Sequence, residues 1–336
     1  MAKRRTRAES GEDLLIARHF KPIARHHPGA LGLADDVALL GPPAGHELVL
    51  TADAIVGGVH FFADDPPDAI ARKALGVNLS DLAAKGAKPA GFLLTLALPK
   101  DHGNGWLKSF ARGLGAAAKR SGCPLLGGDT VRTPGPVTIS ITALGTLPKR
   151  SMVKRSGARV GDRVVVTGTV GDAALGLKLR TDRNAARRWK LDAGMRRHLA
   201  SRYIVPQPRS AVAEAVRRYA SASMDVSDGL AGDLGKLLRA SRAGATIEVS
   251  KVPLSKAART AVNVDPAAMQ TVLTGGDDFE VIATVPRRAL AAFQAMARRA
   301  GVATHEIGAV TAERGARFLD NNGRELRFRR ASFSHF

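Results

Sequence analysis

Short apolar runs with strand character, at residues 48–55, 92–98 and 137–144, alternate with helical patterns at 68–86 and 106–120. Neither kind of element can bury its apolar face alone, so the alternation demands a sheet covered by helices. Ser10 followed by Glu12 and Asp13 has the form of a capped helix start. Near 148–161 the chain turns basic and rich in turn formers, which places a domain boundary there. Beyond it, strands at 163–167, 246–249 and 280–285 interleave with helical patterns at 172–179, 210–220, 230–240 and 288–300. The expected class is α/β (α+β) in two domains, 11–147 and 148–336, after a basic, disordered tail at 1–10.

With 336 residues, 45% of them hydrophobic, each domain can support its own core. The single cysteine, Cys123, rules out an intrachain disulfide and any multi-cysteine metal site, which suits a reducing compartment. No stretch approaches the ~20 apolar residues that span a bilayer, and Met1 to Ser10 lead into no apolar signal core. A cytoplasmic, membrane-free protein is expected. The net charge of +21 is unevenly spread: residues 1–30 carry 7 basic and 3 acidic groups, 31–147 carry 10 and 10, and 148–336 carry 34 and 17. A basic second half attracts nucleic acid, an acidic membrane surface or a small polyanionic substrate, and charge does not choose among them. The 4% aromatic content argues against a stacking platform for single strands, and no zinc-finger, RNP or basic-zipper pattern is present.

Several familiar chemistries are missing. Gly235-Lys236 is followed by Leu237 and lacks the upstream glycine of a phosphate-binding loop. No protein-kinase signature set, His-x-x-x-His pair or serine nucleophile elbow occurs. What remains is a series of aspartates at turns beside small residues: Asp35-Asp36, Asp53, Asp81, Asp129, Asp225, Asp228 and Asp277-Asp278. Carboxylates without soft partners select a hard cation, Mg²⁺ before Ca²⁺, and Mg²⁺ arrives with phosphates and water. Each aspartate alone is more often a turn former or helix cap; the set points to a polyphosphate substrate.

Asn78 and Asp81 flank the stripe of Leu75, Leu79 and Leu82, which puts Asp81 at the edge of a buried helix face. In Asp225-Val226-Ser227-Asp228-Gly229-Leu230 a strand end meets a helix start, so Ser227 or Asp228 is expected to cap that helix with its N–H groups toward an anion. The echo of Asn78–Asp81 and Gly127–Asp129 in Asp225–Asp228 and Gly275–Asp277 is attributed to chance rather than duplication.

Taken in order, Leu33-Ala34-Asp35-Asp36-Val37-Ala38, Thr51-Ala52-Asp53, His60-Phe61, the run from Asn78 to Ala87, Gly127-Gly128-Asp129-Thr130, Arg155-Ser156-Gly157-Ala158, the Asp225 turn and Gly275-Gly276-Asp277-Asp278-Phe279-Glu280 closely resemble the thiamine-monophosphate kinase family of the aminoimidazole ribonucleotide synthetase superfamily. The resemblance runs from about residue 11 to His335-Phe336. It implies ATP-dependent phosphorylation of thiamine monophosphate to thiamine diphosphate with several Mg²⁺ ions. It also implies an N-terminal mixed sheet that dimerises into a barrel, and a C-terminal α/β sandwich.

By motif match, Asp36, Thr51, Asp53, Asp81, Asp129, Asp225 and Asp228 become metal ligands. Gly128, Asp129, Arg150 and Ser227 fall at nucleotide positions, and His60 and Asp277 at thiamine-phosphate positions. Ala34 stands where the family usually has Gly, and Asp277 where it has Glu. ATP and a phosphomonoester together bring about six negative charges. Because the acceptor oxygen is already largely anionic, the task is alignment and charge stabilisation of an in-line transfer, with no residue assigned as acid or base. His60 is then a binding group, or a histidine partly buried beside Phe61 and Phe62. The rivals are another ATP-dependent member of the superfamily and a basic nucleic-acid-binding protein.

Overall fold

The computed structural model describes residues 11–25, 27–100, 103–328 and 332. Ser10, the 1–10 tail and the terminal His335-Phe336 lie outside the described residues. In chain order the helices are α1 (Gly11–Leu15), α2 (Lys21–Ala24), α3 (Pro67–Ala84), α4 (Asn104–Ser121), α5 (Asp172–Thr181), α6 (Ala185–Arg188), α7 (Ala193–Ile204), α8 (Ala213–Tyr219), α9 (Leu230–Ser241), α10 (Lys256–Val264), α11 (Ala268–Thr274) and α12 (Leu290–Arg299). The strands are β1 (His46–Val56), β2 (Lys88–Leu98), β3 (Leu125–Arg132), β4 (Thr138–Pro148), β5 (Arg163–Thr167), β6 (Ala222–Val226), β7 (Gly244–Glu248), β8 (Glu280–Val285), β9 (Thr304–Thr311) and β10 (Gly315–Leu319). Two compact units result: one from residues 1–42, 52–75 and 89–144, the other from 43–51, 76–88 and 145–336. Among the described residues no helix is long and apolar enough to cross a membrane.

The first unit is built on a four-stranded sheet of order β1-β4-β2-β3, with β2 and β3 parallel. Strict alternation sets its faces: Phe92, Leu94, Leu96, Ile139 and Ile141 are buried on one of them, and Leu107, Phe110 and Leu114 form the buried stripe of α4. Leu93 and Val131, on the opposite face, remain 39% and 42% exposed. Strand β3 was not foreseen. Gly127-Gly128-Asp129 has turn composition, but parallel pairing with β2 draws it into the sheet through an irregular step between Phe92 and Leu93. A Cβ on Gly128 would sit 1.8 Å from the Leu94 carbonyl oxygen, so only glycine allows the close approach at that step.

The second unit carries a six-stranded sheet of order β10-β7-β9-β5-β8-β6, antiparallel except for β10 beside β7. Its central strands are buried on both faces, which explains their unbroken apolar runs. Val164, Val166, Met224 and Ile282 pack with Leu175, Leu199, Leu234 and Val272 on one side. Val165, Val281 and Ala283 pack with Val216, Phe293 and Ala84 on the other. Helices α7, α10 and α11 were absent from the sequence expectation. Helix α7 buries only Leu199, Arg202 and Tyr203, too sparse a stripe to register as a helical period.

Candidate active site

Strand β6 delivers Asp225, 4% exposed, to the sheet end, where Ser227 and Asp228 form the turn into α9. The capping expectation is corrected here. Neither Ser227 nor Asp228 caps α9; Gly229 holds the N-cap position at φ 119°, without a side-chain hydrogen bond. A Cβ there would lie 2.6 Å from the Thr274 carbonyl carbon. The stabilising carboxylate instead comes from within the helix: Asp233, fully buried, accepts from the Asp228 N–H at 2.8 Å. Lys236, one turn on, donates to Asp233 at 2.8 Å and also to Asp228. Burial pushes the Asp233 carboxyl up, with the Lys236 ammonium opposing it. The lysine that fails as part of a phosphate-binding loop thus serves as counter-ion to one acid of the turn and one of the helix.

Thr51 of β1 donates to Asp81 of α3 at 2.5 Å. Asn78 is fully buried and Asp81 only half-buried, so α3 is enclosed nearly all round with Asp81 at its open edge. Lys85, just past the helix end, donates to the Ser223 carbonyl at 2.7 Å. Burial, aided by Arg155, lowers its pKa to about 8, while Asp225 and Asp81 pull the other way. One ammonium therefore feels the carboxylates of both Asp81 on α3 and Asp225 on β6. Ser80 donates to the Phe279 carbonyl at 3.4 Å and Ser223 to the Ala84 carbonyl, fastening the end of α3 to β6 and to the Gly275–Glu280 turn.

That turn is bonded directly to the Asp225 turn. The Asp277 N–H donates to the Ser227 carbonyl and the Phe279 N–H to the Val226 carbonyl, each at 2.8 Å. Asp277 and Phe279 hold φ of 71° and 50°, a left-handed conformation rare for such residues. Between them Asp278 is buried and accepts from the N–H groups of Gly171 at 2.6 Å and Ala173 at 3.2 Å. Burial pushes its carboxyl well up, against those two donors. Glu280, fully buried, accepts from Arg202 Nη2 at 2.9 Å, Arg209 Nε at 2.6 Å and Nη2 at 2.5 Å, and Thr167 Oγ1 at 2.7 Å. Lys85, Asp233, Lys236, Glu280, Arg202 and Arg209 escaped the sequence reading as site elements; Asp278 stood in the aspartate series but without a role, and Glu280 only in the run Asp277-Asp278-Phe279-Glu280.

The remaining expected residues are placed as follows. Arg150, exposed at φ 62°, has its backbone N–H held by Glu47 at 3.0 Å. In the first unit, Asp36 and Asp129 are exposed, and Asp53 is half-buried on β1. Asp129 shares the outward face of its sheet with Thr95, its partner in register. The Val56 N–H donates to His60 Nδ1 at 3.0 Å, placing the ring proton on Nε2, and Lys73 holds the His60 carbonyl at 2.8 Å. Among the described residues no three His, Cys, Asp or Glu side chains gather into a metal cage. The oxygens of Asp81 and Thr51, a hard donor pair, nonetheless suit Mg²⁺ that keeps phosphate and water as its other ligands. Cys123 is buried, its thiol pushed up to about 12 by desolvation, and is a core residue.

Residues 34–147 match the N-terminal domain of AIR synthase related protein and residues 159–321 its C-terminal domain. The two-sheet α/β fold and its aspartate turns therefore define a protein of the AIR synthase related class. Thiamine-monophosphate kinase of Caulobacter vibrioides is 39% identical over 296 residues, spanning 87% of this chain and 82% of its own. The structure of thiamine-monophosphate kinase from Stenotrophomonas maltophilia aligns with a TM-score of 0.81 at 34% identity, covering 92% of this chain and 98% of its own. AaThiL complexed with AMPPCP and TMP aligns at 0.76 and 29% identity, covering 90% and 91%. This chain belongs to the thiamine-monophosphate kinase family.

Proposed function

We propose that the chain phosphorylates thiamine monophosphate to thiamine diphosphate with ATP as donor, by direct in-line transfer. The observation that carries this reading is Asp81, hydrogen-bonded to Thr51, one turn before Lys85, which bonds β6 at Ser223, two residues from Asp225, in a chain of this family. A relative complexed with AMPPCP and TMP supports the choice of both substrates. Asp36, Thr51, Asp53, Asp81, Asp129, Asp225 and Asp228 would hold Mg²⁺, which when bound neutralises phosphate charge that otherwise keeps two anions apart. Ser227 and Asp228, fixed at the N-terminal end of α9, face the triphosphate with a hydroxyl and a carboxylate, and Gly128 and Arg150 complete the nucleotide contacts. His60, protonated at Nε2, and Asp277 orient the thiamine phosphate. No side chain needs to remove a proton from an acceptor oxygen that is already anionic.

The exposed apolar side chains Leu93 and Val131 on the outer face of the first unit's sheet support assembly as a homodimer through that sheet, closing a barrel. The one buried cysteine suits a cytoplasmic enzyme. The decisive test is a product assay with ATP, Mg²⁺ and either thiamine or thiamine monophosphate. Diphosphate formed from the monophosphate alone is the expected result; no turnover of the monophosphate sinks the proposal.

A further inference from the structure

Asp277 stands in a turn whose backbone is left-handed at two positions. Its φ of 71° lies in the left-handed region, as does the 50° of Phe279, and neither residue is glycine. Such conformations persist only where the surroundings over-determine them. Two backbone bonds to Ser227 and Val226 hold the turn on one side. On the other, the fully enclosed Asp278 reaches both the Gly171 and Ala173 N–H groups at the start of α5. Gly275 and Gly276 let the turn press close: a Cβ on the first would lie 2.4 Å from Ala174 Cβ, and on the second 2.4 Å from the Ser227 carbonyl oxygen. Asp278 thus anchors the turn to the start of α5 through paired hydrogen bonds.

We infer that Asp278 is a positioning residue for the thiamine-phosphate side of the site: by anchoring the strained turn to the N-terminus of α5, it holds Asp277 in register with Ser227 and Asp228. This rests on the kinase reading and on the substrate-side place of Asp277. A carboxyl that accepts from two N–H groups at a helix start is fixed in direction, so its loss lets the turn relax toward ordinary φ and carries the neighbouring carboxylate away. ATP, held by the Ser227 side, is affected far less.

The test is Asp278→Asn. Asparagine keeps the shape but turns an N–H₂ against one of the two N–H donors. The expected outcome is a KM for thiamine monophosphate raised about tenfold, the effect of one lost buried hydrogen bond, with the KM for ATP within about twofold. Equal rises in both, or no change in a folded variant, overturn the inference. A second measurement on the unaltered protein covers a variant that fails to fold: amide hydrogen exchange at Gly171 and Ala173. Thiamine monophosphate should slow it where AMPPCP alone does not, and unchanged exchange overturns the inference. Failure of the unaltered protein to turn over thiamine monophosphate would count instead against the function proposed above.

Discussion

Thr51 Oγ1 donates its proton to Asp81 Oδ2 at 2.5 Å, joining a strand residue to a helix residue 30 positions later. The bond orients the carboxylate and leaves the hydroxyl's lone pairs available to a cation. Thr51→Val, which keeps the shape and removes the oxygen, should weaken Mg²⁺ dependence by about 10–100-fold, the usual effect of losing a group that orients a metal ligand. Mg²⁺ titration of the kinase rate, with circular dichroism to confirm folding, is the check. An unchanged titration curve would remove Thr51 from the ligand set.

Asp225→Asn should lower kcat/KM by at least about 100-fold, while the melting temperature moves by only a few degrees. The amide retains the volume in the buried end of β6 but loses the charge felt by Lys85. Near-normal turnover in purified, folded variant would show that Asp225 is no ligand.

Glu280→Gln should be among the most damaging substitutions for stability. Arg202 and Glu280 are 4% and 0% exposed at their side chains; Arg202 reaches Glu280 through Nη2, and its Nε and Nη1 have no hydrogen-bond partner among the described residues. Breaking a buried charge pair from one side costs about 3–5 kcal/mol. Urea unfolding at neutral pH measures it; a loss below about 1 kcal/mol would mean that the arginines find other acceptors.

His198 Nε2 lies 2.9 Å from Oδ2 of the fully buried Asp172, which also accepts from Thr169 and Ser255. The bond to Asp172 raises the histidine above its usual 6.5. Burial pushes Asp172 up, but the His198, Ser255 and Thr169 bonds outweigh it and hold the acid below its usual 3.8. The histidine's contribution to stability is complete below pH 6.5 and is lost as pH rises through its raised value; that of Asp172 is present above pH 3.8 and is lost as pH falls through its lowered value. Urea midpoints at about pH 5.5 and 8 should therefore diverge more in the natural protein than in His198→Gln. Parallel pH profiles would refute the coupling.

Gly128→Ala should destabilise the first unit whatever Gly128 does for the nucleotide. The added methyl group meets the Leu94 carbonyl oxygen at 1.8 Å, and the φ of 152° is itself strained for alanine, together worth more than about 1–3 kcal/mol. A thermal melt should show the loss, and an unaltered melt would show that β2 can move aside. Reduced ATP affinity in that variant would by itself say nothing about a nucleotide contact.

The elements legible in the sequence were those with a clear period: alternation at β2 and β4, and the long apolar helices α3, α4 and α9. Strand β3 was hidden because its glycines read as a turn until β2 lies beside them. The aspartates were visible as a set, but their partners were not. Glu280 meets Arg202 and Arg209 across 78 and 71 residues, separations that only the folded chain closes. The φ reversals at Asp277 and Phe279 left no trace, since no glycine stands there to announce them. Likewise Asp233, an acid inside an apolar helix, carries no mark distinguishing a buried counter-ion partner from a solvated side chain.

Strand β6 is the outermost strand of its sheet, yet Ser223 within it has no polar group left over: its N–H goes to the Lys154 carbonyl, its carbonyl to Lys85, and its hydroxyl to the Ala84 carbonyl. Residues 76–88 are thus a plug over what would otherwise be a sticky margin. A fragment cut at residue 148 would shed that plug, and soluble expression of the second unit alone would require the excised segment to be grafted back.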